Sequence, residues 1–259
     1  MPNYKLTFSY DGSDFSGYEL QPGKRTIRGE VEKALYRIFK QPVKIYSSSR
    51  TDSGVHALGN VISFTTKSSI PPSNLQKALN AVLPDDIRIV GSEIGRSKIG
   101  GKKEFNARFD AKSKTYEYLI YNGEVLPPHL RKLVWHVKPK LNLAAMKKAA
   151  KYLVGKHDFS SFCAAGGDDS NFIRILHSLD IGHWKLVIFP SCKSSVVSCK
   201  FSGNGFLYKM VRNLVGTLVD VGLGKTKPET VKEILKAKNR RLAGRTAPAQ
   251  GLCLVRVKY

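Results

Sequence analysis

Ser49-Arg50-Thr51-Asp52-Ser53-Gly54-Val55-His56-Ala57-Leu58-Gly59-Asn60 decides how the rest of this chain reads. It sets an aspartate in a tight turn, between an arginine and a glycine. A strand-like run, Val61-Ile62-Ser63-Phe64, follows at once. A carboxylate placed there is held on rigid elements with a cation beside it. On spacing alone two readings stay open. The aspartate can carry chemistry, or it can bond its own backbone two residues on and only close the turn. Gly54 allows the turn or a close approach by a partner. His56 reads as a loop hydrogen-bonder rather than an acid or base.

Working outward, charge is the strongest global fact. Lys and Arg number 43 against 20 Asp and Glu, a net of +23. Such a charge repels itself, and a polyanionic partner relieves the repulsion. Nucleic acid is the first candidate and an anionic membrane surface the second. The basic residues are dense over Arg96 to Lys114, Lys138 to Lys156 and Lys225 to Arg245. Spread through the chain in this way, they suit a folded surface with a basic face better than a disordered arm. The 259 residues fit one large domain or two intimate small ones. Hydrophobic residues make up 42%, enough for a substantial core. No apolar run reaches the roughly 18–20 residues that span a bilayer. Met1-Pro2-Asn3-Tyr4-Lys5 opens straight into a strand pattern, without the basic region and apolar core of a signal peptide. A cytoplasmic protein is expected. Cys163, Cys192, Cys199 and Cys253 form no Cys-x-x-Cys pair and have no zinc-finger spacing with histidine. They read as reduced, mostly buried thiols.

Periodicity predicts strands over Tyr4–Tyr10, Val43–Tyr46, Val61–Thr65, Ile87–Val90, Thr115–Tyr121, Ile173–Ile181, Lys185–Phe189, Ser195–Phe201 and Leu252–Tyr259. Helices are predicted where Ile27, Val31, Leu35 and Ile38 recur behind Thr26 as N-cap, with Pro42 as the stop. Further helices are predicted at Leu75–Val82, Leu143–Leu153, Leu207–Val221 and Pro228–Ala237. Short strands mixed with helices, in two halves of similar plan, argue for α+β with a mainly antiparallel sheet. The halves divide at residues 1–122 and 123–259. Gly95 to Lys103 is the best candidate for a flexible loop.

Two further segments keep order with the Asp52 turn. One is Phe105-Asn106-Ala107-Arg108-Phe109 followed by Lys114-Thr115-Tyr116-Glu117-Tyr118. The other is Gly205-Phe206-Leu207-Tyr208-Lys209-Met210-Val211-Arg212-Asn213. Flanks agree too: Tyr10-Asp11-Gly12, Leu79 to Pro84, His157 to Phe162, and Thr246-Ala247-Pro248-Ala249-Gln250-Gly251-Leu252. Taken together, these motifs resemble the TruA-type tRNA pseudouridine synthases nearly from end to end. The resemblance implies two ferredoxin-like halves sharing a mainly antiparallel sheet, with Asp52 in the cleft between them. It implies isomerisation of uridine to pseudouridine in the tRNA anticodon arm, at positions 38 to 40, by a homodimer. No cofactor, metal, membrane or protein partner is expected.

The resemblance makes Asp52 the catalytic carboxylate and Arg212 the cation that keeps it ionised. Tyr116 would stack on the target base, with Tyr118 on the same strand face as its competitor. Arg50 would either hold the flipped base out of its stack or contact phosphate. Several positions depart from the pattern. Gly17-Tyr18-Glu19 stands for the usual Gly-Trp-Gln, Arg28 for a glutamine, and Ser47-Ser48-Ser49 for a glycine-rich lead. Lys114-Thr115 stands where a basic residue is common in the pattern. Gly222-Leu223-Gly224-Lys225-Thr226 ends like a phosphate-binding loop, but the leading glycine is replaced by Val219 and a helix precedes it. Asp168-Asp169 reads as solvated loop acids. The rival readings are a non-catalytic RNA-binding module and an RNA methyltransferase. The second would need a nucleotide fingerprint that the chain does not display.

Overall fold

The computed structural model describes residues 1–96, 104–167, 170–183 and 196–259. The strand predicted over Lys185–Phe189, together with Asp168-Asp169, Cys192 and most of the Gly95–Lys103 loop, lies outside the described residues. The chain divides into two units: Met1–Lys112 with Cys253–Tyr259, and Ser113–Leu252. This differs from the predicted division at 122/123. The boundary runs ahead of the strand that contains Tyr116, and the last seven residues return to the first unit. They return because Cys253 and Leu254 pair, in parallel, with His56 and Ala57. Tyr259 then packs edge-on to Phe105 at 4.7 Å, and its hydroxyl donates to Ala107 O at 3.0 Å.

The first unit runs β1 (Asn3–Tyr10), α1 (Ile27–Phe39), β2 (Tyr46–Ser47), β3 (His56–Thr65), α2 (Pro72–Val82) and β4 (Ile87–Ile94). β1 pairs antiparallel with β3 and with β4, and β2 pairs antiparallel with β3. This is the β-α-β-β-α-β arrangement of a ferredoxin-like fold, in the order β4-β1-β3-β2. Alternation along β1 decides which face is core. Tyr4, Leu6, Phe8 and Tyr10 are buried, and α1 covers them: the Phe39 ring lies 6.4 Å from Tyr4 and 5.8 Å from Phe64. Thr26 caps α1 as predicted, its Oγ1 accepting from Gly29 N at 3.2 Å. The helix ends at Lys40 in the left-handed conformation (φ 54°), two residues before the predicted proline stop. The predicted Val43–Tyr46 strand shrinks to Tyr46–Ser47, and β3 begins five residues early because the Asp52 turn feeds directly into it.

The second unit runs β5 (Ser113–Tyr121), β6 (Trp135–His136), α3 (Leu143–Lys151), β7 (Gly155–Asp158), β8 (Ile173–His183), β9 (Val196–Gly203), α4 (Met210–Gly222) and α5 (Thr230–Ala237). β10 (Leu252–Lys258) closes the chain. β5, β9, β8 and β7 pair antiparallel in that order, and β6 adds a short parallel pairing to β5. α4 is apolar nearly all round. Met210, Leu214, Val215, Leu218, Val219 and Val221 are all buried, as a helix of that composition must be. Cys199 of β9 is buried as well, and burial, helped by Glu117, pushes its thiol up to about 12.

One close approach fixes the surroundings of α4. A Cβ on Gly216 would sit 1.7 Å from Arg245 O, so the segment after α5 lies directly on the helix. Gly216→Ala must push that segment away. We expect it to lower the unfolding free energy by about 1–3 kcal/mol. Gly182→Ala, which meets nothing within 4 Å, should leave the urea midpoint unchanged. Equal midpoints for the two variants would show that the segment yields freely.

Candidate active site

In the first unit the Asp52 turn is closed by main chain. Val55 N–H donates to Asp52 O at 3.2 Å, and Gly54 supplies the left-handed residue at φ 78°. Asp52 is half-buried, Thr51 beneath it is buried, and Arg50 is exposed. Arg50 and Asp52 thus share one turn. The loop between β1 and α1 is its floor. A Cβ on Gly12 would lie 2.0 Å from Val55 O. Gly17, at φ 95°, brings its Cα close to Ser53 N and Thr51 O, each 3.2 Å from a built Cβ. Tyr18 N–H donates to Thr51 O at 3.0 Å and Ser53 Oγ donates to Phe15 O at 2.9 Å. His56 opens β3 rather than lying in a loop, and its ring bonds to the loop between β1 and α1. Its Nδ1 lies 3.2 Å from Gly12 N and 3.2 Å from Asp11 Oδ1. Side chains larger than hydrogen at Gly12 would therefore displace the turn that carries the carboxylate.

A buried polar network lies inside this turn, and sequence reasoning missed it. Asn60 Nδ2 donates to Ser49 O at 3.1 Å and to the Tyr10 hydroxyl at 3.2 Å. Its Oδ1 accepts from Ser48 Oγ at 2.8 Å and from Val61 N at 2.9 Å. The Tyr10 hydroxyl lies 2.7 Å from Thr51 Oγ1. The main chain before Arg50 and the side chain after it are therefore tied to the same two residues. The available signal was an asparagine within an apolar strand run, since a buried amide must find partners. Two departures from the family pattern also explain each other. Arg28 Nη1 donates to Glu19 Oε2 at 2.9 Å, and Arg28 Nε donates to Glu32 at 2.8 Å.

In the second unit Arg212 stands in the first turn of α4, half-buried. Its Nε donates to Ala247 O at 2.7 Å, and Ala247 N–H donates back to Arg212 O at 3.1 Å. The neighbouring Asn213, fully buried, accepts from Thr246 Oγ1 at 2.6 Å and from Arg240 Nη2 at 2.8 Å, and donates to Phe162 O at 2.8 Å. Residues 240–248 thus form a strap across α4 that holds the arginine stem. Tyr118 is bound into the same strap: its hydroxyl donates to Pro248 O at 2.7 Å, and burial pushes the phenol up, with Arg212 and Arg245 opposing. Tyr116 meets Phe206 edge-to-face at 5.2 Å and is 8% exposed. The His157–Phe162 segment is structural here, with Ser161 Oγ donating to Ile234 O and accepting from Asn239 N. Among the described residues no three His, Cys, Asp or Glu side chains gather as a metal site would need. No described helix is long and apolar enough to cross a membrane.

A carboxylate on a rigid turn, an exposed arginine beside it, a strapped arginine and an edge-packed tyrosine are the parts the motifs singled out. A family model described as tRNA pseudouridine synthase matches residues 6–110 and 149–259. The tRNA pseudouridine synthase A of Bacillus subtilis is 44% identical over 257 residues, 98% of each chain. That of Bacillus licheniformis is 45% identical over 257 residues, again 98% of each chain. That of Thermoanaerobacter pseudethanolicus is 40% identical over 259 residues, 100% of each chain.

The network under the Asp52 turn yields a stability test. Tyr10→Phe removes the hydroxyl that Thr51 and Asn60 share, and is expected to cost about 1–3 kcal/mol in urea unfolding. Asn60→Ala should cost more. The double variant should fall short of the sum, because partners in one network are not additive. Strictly additive costs would show that the two residues act apart.

Proposed function

The chain belongs to the tRNA pseudouridine synthase family, and from that footing we propose that it isomerises uridine to pseudouridine in tRNA, in the anticodon arm at positions 38 to 40. The net reaction breaks the C1′–N1 bond, forms C1′–C5 and moves a proton from C5 to N1. Nothing is oxidised or reduced, so the reaction calls on no redox partner. What it needs is a base out of its stack, an ionised carboxylate, and water kept away.

Asp52 is the carboxylate in this reading, acting as nucleophile or base. The observation that carries it is the floor beneath its turn, where Gly12, Gly17 and Asn60 fix the main chain on both sides. Such support is what a group that must meet a reacting carbon within a fraction of an ångström requires. By the resemblance, Arg212 supplies the positive charge that keeps this carboxylate ionised. Its bond to Ala247 O limits the guanidinium to few orientations. Tyr116 supplies an aromatic face for the target base, whereas Tyr118 is committed to Pro248. Arg50, exposed and next but one to Asp52, enters the stack to keep the base out. The net charge of +23 supports a polyanionic substrate, since phosphate contacts dominate such affinity. By the same resemblance the enzyme works in the cytoplasm as a homodimer, with tRNA lying across both subunits.

The test is a pseudouridine map of unmodified tRNA transcripts. Wild-type protein should place pseudouridine in the anticodon arm. Asp52→Ala should lower turnover by at least about a hundredfold while tRNA affinity persists. Turnover within tenfold of wild type would remove Asp52 from the chemistry. Tight binding by both proteins without any pseudouridine would favour an RNA-binding module. Arg212→Ala should lose activity and also about 1–3 kcal/mol of stability, through the orphaned Ala247 carbonyl. Arg212→Lys should not restore activity, because an ammonium does not reproduce the planar fork. Full activity with an unchanged melting temperature would discharge Arg212 from both roles.

A further inference from the structure

Phe105-Asn106-Ala107-Arg108-Phe109 belongs to the family pattern, yet the isomerisation gives it no task. In the first unit it forms a loop that displays two side chains on a pinned backbone. Ala107 is buried, its N–H donating to Ser63 Oγ at 2.9 Å and its carbonyl accepting from the Tyr259 hydroxyl at 3.0 Å. Asn106 Oδ1 accepts from Arg108 N at 2.9 Å and from Phe109 N at 3.2 Å, while Asp110 Oδ2 accepts from Asn106 N at 3.0 Å. On this frame Phe109 stands 66% exposed, with the Arg108 guanidinium 5.5 Å from the centre of its ring.

A second pair of the same kind lies beside it. Tyr46 of β2 pairs with Ser63, the residue that holds Ala107. Tyr46 is 38% exposed, and Lys44 Nζ stands 5.4 Å from the centre of its ring. Both distances lie within the range of a cation held over an aromatic face. Among the described residues neither Lys44 nor Arg108 takes part in an ion pair, whereas Lys5, Arg25, Arg28 and Arg88 of the same unit do. Two exposed rings, each with an unneutralised cation, therefore flank one point of β3. Aromatic faces interleaved with positive charge suit an unpaired nucleotide, base on ring and phosphate on cation. The net charge of +23 favours this anionic occupant over a second protein surface.

We infer that Lys44, Tyr46, Arg108 and Phe109 form a second RNA-contact surface, which takes an unpaired nucleotide of the substrate away from the isomerised uridine. The surface rests on the tRNA reading above and deepens it. Ser63 lies seven residues along β3 from His56, about 23 Å from the end of the strand that receives the Asp52 turn. Contacts here read a part of the RNA that a short stem-loop does not contain. The backbone is pinned beforehand, so docking orders no loop.

The experiment compares wild type with Tyr46→Ala/Phe109→Ala, using an unmodified full-length tRNA transcript and an isolated anticodon stem-loop. Affinity is read by fluorescence anisotropy. The variant should bind the full transcript about tenfold more weakly and the stem-loop equally well. Turnover at saturating tRNA should not change, and Phe109→Trp should bind like wild type. Unchanged affinity for the full transcript would overturn the inference. So would equal weakening toward both RNAs, which would mean the effect travels to the reacting end. A loss of oligomer in sedimentation would assign the patch to a contact between copies instead. If wild type makes no pseudouridine, the proposed reaction fails, but the affinity comparison still decides this surface.

Discussion

Asn60 has no exposed surface and two donors and two acceptor positions to satisfy. All four are met: by Ser49 O, the Tyr10 hydroxyl, Ser48 Oγ and Val61 N. An amide left short of partners in that place would cost about 1–3 kcal/mol for each missing bond. The turn containing Asp52 can therefore take only the few shapes that keep the amide satisfied. Gly12 removes still more of them, because its backbone lies where any side chain would strike Val55. The carboxylate is positioned by what its neighbours must bond to.

The second unit solves the same problem with a strap. Asn213 is buried in α4 and gathers Thr246, Arg240 and Phe162 around itself. The strap so held puts Ala247 against Arg212 and Pro248 against Tyr118. This gives the closing motif Thr246 to Leu252 a physical meaning. Gly251 carries no side chain because the strap runs close to an aromatic ring there. A Cβ on Gly251 would lie 2.6 Å from the Tyr118 ring.

Much of this was legible in the sequence, for stated reasons. β1 alternates cleanly because one face packs on α1, and Thr26 announces the helix by its side chain. Both signals are local. What escaped was set by contacts distant in sequence. β7 is Gly-Lys-His-Asp, with no apolar residue to mark it, and exists because β8 pairs with it. β3 starts early because the turn, not a hydrophobic run, delivers the chain into the ladder. Asp52, Arg50, Tyr116 and Arg212 were singled out by motif order rather than periodicity. Asn60 and Asn213, which hold the surroundings in place, match no periodic pattern, since each is a polar group in an apolar setting; Tyr10 keeps the alternation of β1, and only the partners of its hydroxyl escaped. The pairing of Glu19 with Arg28 shows why two departures from a pattern can leave it intact: each is the other's partner.

The return of β10 to β3 has a consequence for how the molecule comes into being. Cys253 meets His56 across roughly 200 residues, and the whole second unit lies within that loop. During synthesis the second unit is therefore made before the first receives its last strand. The Asp52 turn empties into β3 at the point where β10 joins it. The edge of β3 around His56 thus stays unpaired until β10 arrives, and a nascent chain carries the Asp52 turn on an unfinished sheet. Completion of the first unit is coupled, by connectivity alone, to emergence of the second.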